Sequence, residues 1–178
     1  MAITLTDYTE QCERANGGVE MVVVLNKCDR NTYTINTDKE ITALTTKDGT
    51  RAYSWTPDIE SAKFDDNGTG NRANNSYFRT HVGMIQFKDD EAVTTKLDEE
   101  SGRAKLIVFV KFAQPIGETA KWKVYGFLNG MTVTTSEAST GQMFEDLRGH
   151  LLNLEGKETT RALSISDTIV QSILVPAS

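Results

Sequence analysis

Short apolar runs separated by turn-forming residues dominate the chain. The segment Val19–Lys27 contains the run Met21–Leu25, and the segment Ala104–Phe112 contains the run Leu106–Val110. A short, continuous apolar run bounded by turn residues is typical of a strand that is covered on both faces. Both segments are therefore predicted to be central strands of a buried sheet.

Further segments rich in Thr, Ile and aromatic residues predict additional strands, because branched and aromatic side chains suit a pleated surface. These segments are Thr32–Asn36, Glu40–Thr46, Arg51–Trp55, Ile59–Phe64, Asn75–Lys88, Thr119–Phe127, Met131–Ser136, Gly149–Glu155 and Thr160–Ile165. Two dipeptides, Asp48-Gly49 and Asn129-Gly130, are strong signals for two-residue hairpin turns. The tail Thr168–Val175 is apolar enough to pack against the rest of the chain.

Strict alternation marks the segment Thr119–Phe127. Apolar Ala120, Trp122 and Val124 occupy alternate positions, and Lys121, Lys123 and Tyr125 occupy the positions between them. Successive side chains of a strand point to opposite faces, so this pattern predicts one buried and one solvated face.

One helix is predicted over Asp89–Ser101. Asp89 or Asp90 can cap its first turn, Val93 and Leu97 share a face, and Gly102 ends it. Several short strands and one helix predict a mainly β fold, an antiparallel β-sandwich or barrel with one flanking α-helix. The length of 178 residues fits a single domain over residues 1–178.

A polar stretch between two predicted strands is the candidate contact site. We expect it to form a long exposed loop, because it has too little apolar surface to fold on itself. We further expect it to order against a second copy of the chain through hydrogen bonds and ion pairs. Its residues are Asp65, Asp66, Asn67, Gly68, Thr69, Gly70, Asn71, Arg72, Ala73 and Asn74.

Charge argues against sequence-specific binding of nucleic acid. The formal net charge is −6, cations occur mostly singly, and acids cluster at Asp65-Asp66, Asp89-Asp90-Glu91 and Asp98-Glu99-Glu100. The negative electrostatic field of such a chain repels phosphate groups. The chain contains no long apolar segment and no signal peptide, so no membrane association is expected. Cys12 and Cys28 fit two reduced thiols.

Motifs that carry chemistry are missing. His81 and His150 have no ligand at metal-binding spacing, and Gly68-Thr69-Gly70 lacks the lysine and flanking helix of a phosphate loop. No nucleophile motif is present. The sequence therefore predicts a protein that is not an enzyme and has no metal or cofactor.

The last third of the chain resembles the tail tube proteins of long-tailed bacteriophages. The resemblance rests on Lys123–Met131, on Ser139–His150 and on Leu152–Glu158, and more loosely on the opening Asn16-Gly17-Gly18-Val19. It implies a β-sandwich or barrel whose copies join their sheets into hexameric rings, and rings that stack into a tube. It also implies a virion protein, assembled in the bacterial cytoplasm with other tail proteins, whose lumen passes DNA without binding it specifically.

Three alternatives remain open at the level of sequence. A related tube or ring protein, such as the tube of a contractile injection system or a tail terminator, would share this architecture. A monomeric carbohydrate-binding β-sandwich could use Trp55 and Trp122 as stacking platforms. The inward position predicted for Trp122 argues against that second alternative. The third is a hydrolase whose site is assembled from separate loops and so leaves no local motif in the sequence.

Overall fold

The computed structural model describes residues 18–55, 57, 61–74, 76–88, 99, 101–113, 122–139 and 149–175. In chain order the strands are β1 (Val19–Asn26), β2 (Arg30–Ile35), β3 (Glu40–Thr46), β4 (Tyr53–Trp55), β5 (Ala62–Asn71), β6 (Ser76–Lys88), β7 (Leu106–Phe112), β8 (Trp122–Tyr125), β9 (Thr132–Ser139), β10 (Gly149–Glu158) and β11 (Leu163–Ile165). A 3-10 turn, Lys27–Asp29, follows β1, and helix α1 (Asp167–Leu174) follows β11.

The strands form two sheets. One is seven-stranded, in the order β2-β3-β11-β8-β7-β1-β4, and the other is four-stranded, in the order β5-β6-β10-β9. All pairs are antiparallel except the short pair between β11 and β3. The predicted mainly β sandwich with a flanking helix is therefore confirmed.

The central strands β1 and β7 are buried on both faces, as the apolar runs predicted. Val22 and Val24 face the four-stranded sheet, whereas Val23 and Leu25 face the side that α1 covers. Helix α1 contributes Val170, which is completely buried, to that second cluster. The two-sided burial arises because the seven-stranded sheet is the middle layer between the helix and the second sheet.

Neither Asn129-Gly130 nor Asp48-Gly49 closes the hairpin that it predicted. Asp48-Gly49 is a turn, but β3 pairs with β2 and β11, whereas β4 pairs with β1 at the far edge of the sheet. Asn129-Gly130 lies between β8 in the seven-stranded sheet and β9 in the four-stranded sheet. Both predictions were wrong because a turn dipeptide fixes a local reversal, while side-chain burial decides which strands pair.

The segment Gly126–Gly130, which we call the crossover, carries the chain from one sheet to the other. Gly126 and Gly130 adopt φ values of 66° and 85°. These are left-handed conformations that glycine adopts with little strain. The crossover defines one end of the sandwich, and the opposite end is where β6 reaches Lys88 and β9 reaches Ser139.

Strand β8 differs from the half-solvated strand that its alternation predicted. Tyr125, placed on the solvated side, is only 5% exposed because its ring packs against Phe64 of the second sheet at a centroid distance of 5.3 Å. Lys123 is half-buried. A second sheet over this face explains the difference, since alternation along one strand cannot reveal what covers its polar side.

The helix predictions have mixed outcomes. Most of Asp89–Ser101 lies outside the described residues, although Glu99 and Ser101 are helical. The tail packs as predicted, and it does so as a helix, α1, which the apolar composition of the segment alone did not predict. Its buried residues Val170 and Ile173 are three positions apart and so lie on one face.

Candidate functional site

The candidate contact loop is largely a strand. Residues Asp65 to Asn71 belong to β5 and pair residue by residue with Val82 to Ser76 of β6. Among the described residues, Arg72, Ala73 and Asn74 form the turn. The loop prediction was wrong because pairing with β6 satisfies the backbone of a segment that has no apolar core of its own.

Glycine also suits this strand for a steric reason. A Cβ atom at Gly68 would overlap the phenol of Tyr77 on the paired strand. A strand glycine often marks such a close approach, which composition alone does not distinguish from loop chemistry. Phe78, Thr80 and Val82 of β6 lie opposite Thr69, Asn67 and Asp65, and their alternate spacing was the signal that could have predicted a hairpin here.

The end of this hairpin projects beyond the rest of its sheet. The third strand, β10, stops at Glu158, which pairs with Arg79 of β6. Residues Thr69–Phe78 therefore continue as a two-stranded ribbon, which we call the arm. Within the turn, the Asn71 side chain accepts a hydrogen bond from the Ala73 backbone N–H at 3.0 Å. The arm brings six of the ten predicted contact residues, Thr69 to Asn74, to one exposed projection.

A buried polar cluster fixes the base of the arm. Asp66 of β5 accepts hydrogen bonds from Arg79 Nε at 2.5 Å and from the backbone N–H of Ala162 at 2.9 Å. His81, which is 1% exposed, places Nε2 3.4 Å from the same Asp66 oxygen as Arg79. Its Nδ1 accepts the backbone N–H of Gly126 at 3.0 Å. The cluster thus joins the arm to the crossover and to the β10–β11 connection.

For Asp66 and His81, burial and the neighbouring opposite charge shift the pKa in opposite directions. Burial tends to raise the pKa of Asp66, but hydrogen bonds from Arg79 and Ala162 and nearby positive charge lower it overall. Burial lowers the pKa of His81, against the pull of Asp66. Burial also raises the pKa of Tyr125 to about 12, with a further contribution from Asp66. At neutral pH the cluster therefore contains an ionised carboxylate and a neutral imidazole.

A second buried carboxyl group holds the crossover itself. Glu158 is 2% exposed, and its Oε1 accepts the backbone N–H of Asn129 at 2.8 Å. The Asn129 side chain in turn donates to the Lys157 carbonyl at 2.9 Å. Burial raises the pKa of Glu158, although the N–H groups of the crossover oppose that shift. Asn129 of the crossover thus donates two hydrogen bonds to the end of β10, one from its backbone and one from its side chain.

The four-stranded sheet has a polar outer face. Side chains of Phe64, His81, Ile85 and Leu154 point inward, so the alternate positions point away from the sandwich. The charged residues at those outward positions are Asp65, Glu137, Glu155, Lys63 and Lys157. Uncharged polar residues, including Asn67, Thr80, Thr135 and Asn153, occupy much of the remaining outer face. This face is thus close to neutral and mostly polar, with Val82, Met84 and Leu151 as apolar residues at its centre.

The remaining candidate groups are His150, the two cysteines and the two tryptophans. His150 hydrogen-bonds to Ser136 at 2.8 Å, and no metal-ligand cluster is present in the described ranges. Cys28 is exposed and unpaired, whereas Cys12 lies outside the described residues. Trp122 is 2% exposed and donates to Asp167 at 2.8 Å, and Trp55 packs edge-on against Phe87. These positions give no support to an exposed tryptophan platform.

The segments of the phage resemblance fall on defined parts of this site. Lys123–Met131 contains most of β8 and the crossover, and Leu152–Glu158 is the part of β10 that ends at the arm. Residues 140–148 lie outside the described residues. In the described part of the chain, no helix has the length and apolar composition to cross a membrane. Comparison with protein families, curated proteins and solved structures found no match.

Proposed function

We propose that the chain is a virion structural protein that assembles into hexameric rings, which stack to form a bacteriophage tail tube and its conduit for DNA ejection. The observation that carries this proposal is the four-stranded sheet, whose two edge strands, β5 and β9, have no partner on their outer sides in the described chain. The resemblance at the crossover and β10 suggests the kind of assembly.

The directions of the edge strands favour a ring. Each neighbouring pair in the order β5-β6-β10-β9 is antiparallel, so β5 and β9 run in opposite directions. Rotation about an axis along the strands preserves those directions. Copies related in this way would place β9 of one copy antiparallel to β5 of the next. Repeating that contact closes a continuous barrel and leaves no open edge.

The outer face suits the lining of such a barrel. Closure of the sheet would turn either its inner or its outer face toward the lumen, and the inner face is already buried against β1 and β7. The polar outer face would therefore meet the DNA. Its outward charges nearly cancel, and it has no concentration of cations, so it would attract phosphate only weakly.

The arm suits an axial contact between rings. It projects from the crossover end, parallel to the strands and hence to the proposed tube axis. Asp66 and its partners hold its base, so less conformational entropy needs to be lost at the base when the tip docks. In this proposal the inter-ring contact is the arm, Thr69–Phe78, and not the long exposed loop that was predicted from the sequence.

Hydrogen exchange of assembled and dilute protein tests the ring. Amides of β5 and β9 should become protected when the protein is concentrated. Strands β2 and β4, at the edges of the other sheet, should change little and serve as internal controls. Protection of β2 and β4 without protection of β5 and β9 would contradict the proposed barrel.

A further inference from the structure

The two edge strands of the four-stranded sheet carry complementary charge on the outer face. Strand β9 has one charged residue, Glu137, whose side chain is exposed. Strand β5 has one cation, Lys63, whose side chain is 70% exposed and pairs with Asp65 of the same strand at 3.1 Å. An ammonium group has three donors, so Lys63 can take a second carboxylate as a partner.

The pairing of the strands sets the heights of these residues in the sheet. Thr135 of β9 pairs with Asn153, Asn153 pairs with Met84, and Met84 pairs with Lys63. Thr135 and Lys63 therefore lie at the same height on opposite edges. Glu137 follows Thr135 by two residues, so it lies one outward position farther from the crossover than Lys63 does.

A bulge in β9 limits where another strand can pair with it regularly. The register between β9 and β10 shifts between Asn153 and Leu154, so that Thr134 is an extra residue in β9. A bulge disrupts the ladder and bends its strand, which disfavours pairing along that part of an edge. The regular part of the edge is then Thr135–Ser139, and Glu137 lies at its centre.

We infer that Thr135–Ser139 of one copy pairs with β5 of the next copy in the register that places Glu137 directly opposite Lys63. The inference rests on the proposed function, because a ring brings β9 of one copy against β5 of another. In this antiparallel register the five residues meet residues 61–65 of the neighbour. The neighbour is shifted by two residues from equal height, and closing a sheet into a barrel requires a stagger because the strands tilt.

The same register gives a second outward side chain a partner. Thr135 then lies opposite Asp65 of the neighbouring copy. The Thr135 hydroxyl oxygen accepts the Asn153 side-chain N–H at 2.6 Å, so its own proton can be donated to a further acceptor. The Asp65 side chain is 43% exposed, and its carboxylate can accept that proton in a hydrogen bond. Two adjacent outward positions of β9 thus meet complementary groups.

These contacts select the register more than they add affinity. An exposed ion pair contributes little binding energy, whereas like charges that meet disfavour a wrong alignment. A further shift by two residues in the same direction would place Glu137 opposite Asp65, where two carboxylates repel each other. The unshifted register would place Glu137 opposite Ser61, just before β5 begins. The charges on the two edges therefore favour one stagger.

Charge reversal tests the contact. Glu137→Lys and Lys63→Glu should each raise the protein concentration at which rings form about tenfold, because like charges then meet at every junction of the ring. The double variant restores opposite charges and should form rings near the wild-type concentration. Glu155→Lys and Lys157→Glu make the same charge changes on the interior strand β10, and both control variants should assemble like the wild type.

Disulfide cross-linking tests the register itself. In a chain whose Cys12 and Cys28 are replaced by serine, the pair Glu137→Cys, Lys63→Cys should give a ladder of covalent oligomers on oxidation. The pair Thr135→Cys, Lys63→Cys matches the unshifted register and should give little product. Neither pair can close within one chain, because three strand spacings, about 14 Å, separate β5 from β9.

The outcomes separate this inference from the proposed function. Cross-linked open oligomers without any ring in electron micrographs would overturn the function but keep the edge contact. Rings that form normally in both single charge-reversed variants, and that do not cross-link through Glu137→Cys and Lys63→Cys, would overturn the register and keep the ring. A wild-type chain that stays monomeric when concentrated would overturn both.

Discussion

Gly126 donates its backbone N–H to Nδ1 of His81 over 3.0 Å, and this bond ties the crossover to the strand that carries the arm. Because Nδ1 is the acceptor, the neutral ring carries its proton on Nε2, toward Asp66. The bond therefore requires an imidazole that is not protonated. This single contact links the protonation of one buried side chain to the connection between the two sheets.

Lowering the pH should reduce the stability of the fold through the protonation of His81. Burial lowers the pKa of His81 below 6.5, so the unfolded chain takes up this proton at a higher pH than the folded chain does. Stability should fall as pH drops through 6.5 and stop falling below the lowered folded pKa, by about 1.4 kcal/mol for each unit of separation. Urea unfolding of wild type and His81→Gln across this window measures it, and parallel pH curves for the two proteins would refute the assignment.

Asp66 should matter far more than its neighbour Asp65. Asp66→Ala removes the acceptor of Arg79 Nε and of the Ala162 N–H, and it removes the negative charge beside His81 Nε2, so we expect a loss of about 1–3 kcal/mol. Asp65→Ala removes only the exposed pair with Lys63, and we expect a loss of about 0–1 kcal/mol. Denaturant titration of both variants gives the comparison, and equal losses would contradict an anchoring role for Asp66.

Glu158 should make the opposite contribution to the pH dependence. Burial raises its pKa above 4.5, so the folded chain binds this proton more tightly, and this contribution to stability grows as pH falls through the raised pKa. Glu158→Gln should remove that dependence. Glu158→Ala should cost about 1–3 kcal/mol more than Glu158→Gln, because it deprives the Asn129 N–H of its acceptor. Thermal unfolding at several pH values distinguishes these outcomes.

Replacing Gly156 by alanine should lower the stability of the fold more than replacing Gly70 does. A Cβ at Gly156 would lie 2.7 Å from the Gly130 carbonyl oxygen, whereas at Gly70 the nearest heavy atom would be 3.8 Å away. Gly156→Ala must push the crossover aside and should cost about 1–3 kcal/mol. Gly70→Ala is the matched control and should change stability little. Similar stability of the two variants would show that the crossover can move away from β10 at low cost.

The sequence predicted the elements of the fold better than their pairing. Apolar runs identified β1 and β7 as two-sided strands, because burial on both faces removes polar residues from a strand. The turn signal at Asn129-Gly130 was real, but it could not reveal that β9 joins a different sheet from β8. Strand partners depend on contacts between distant segments, which local pattern does not contain.

The candidate contact segment is exposed and polar as predicted, but its structure was predicted wrongly. Composition marked Asp65–Asn74 as exposed and polar, which holds for most of the arm. It could not distinguish Asp66, which anchors the base, from Asp65, which points outward. That difference follows from the pairing of Asp66 with His81, a residue 15 positions away whose buried environment appears only in three dimensions.

Electron microscopy of the concentrated chain tests the central claim most directly. The wild type should form rings and tubes with an open lumen. A shortened variant, in which Asn-Gly replaces residues 70–77 so that the pair Thr69 and Phe78 closes the hairpin, should fold and form rings but should not elongate. A strictly monomeric wild type at high micromolar concentration, by microscopy and by sedimentation, would contradict the account.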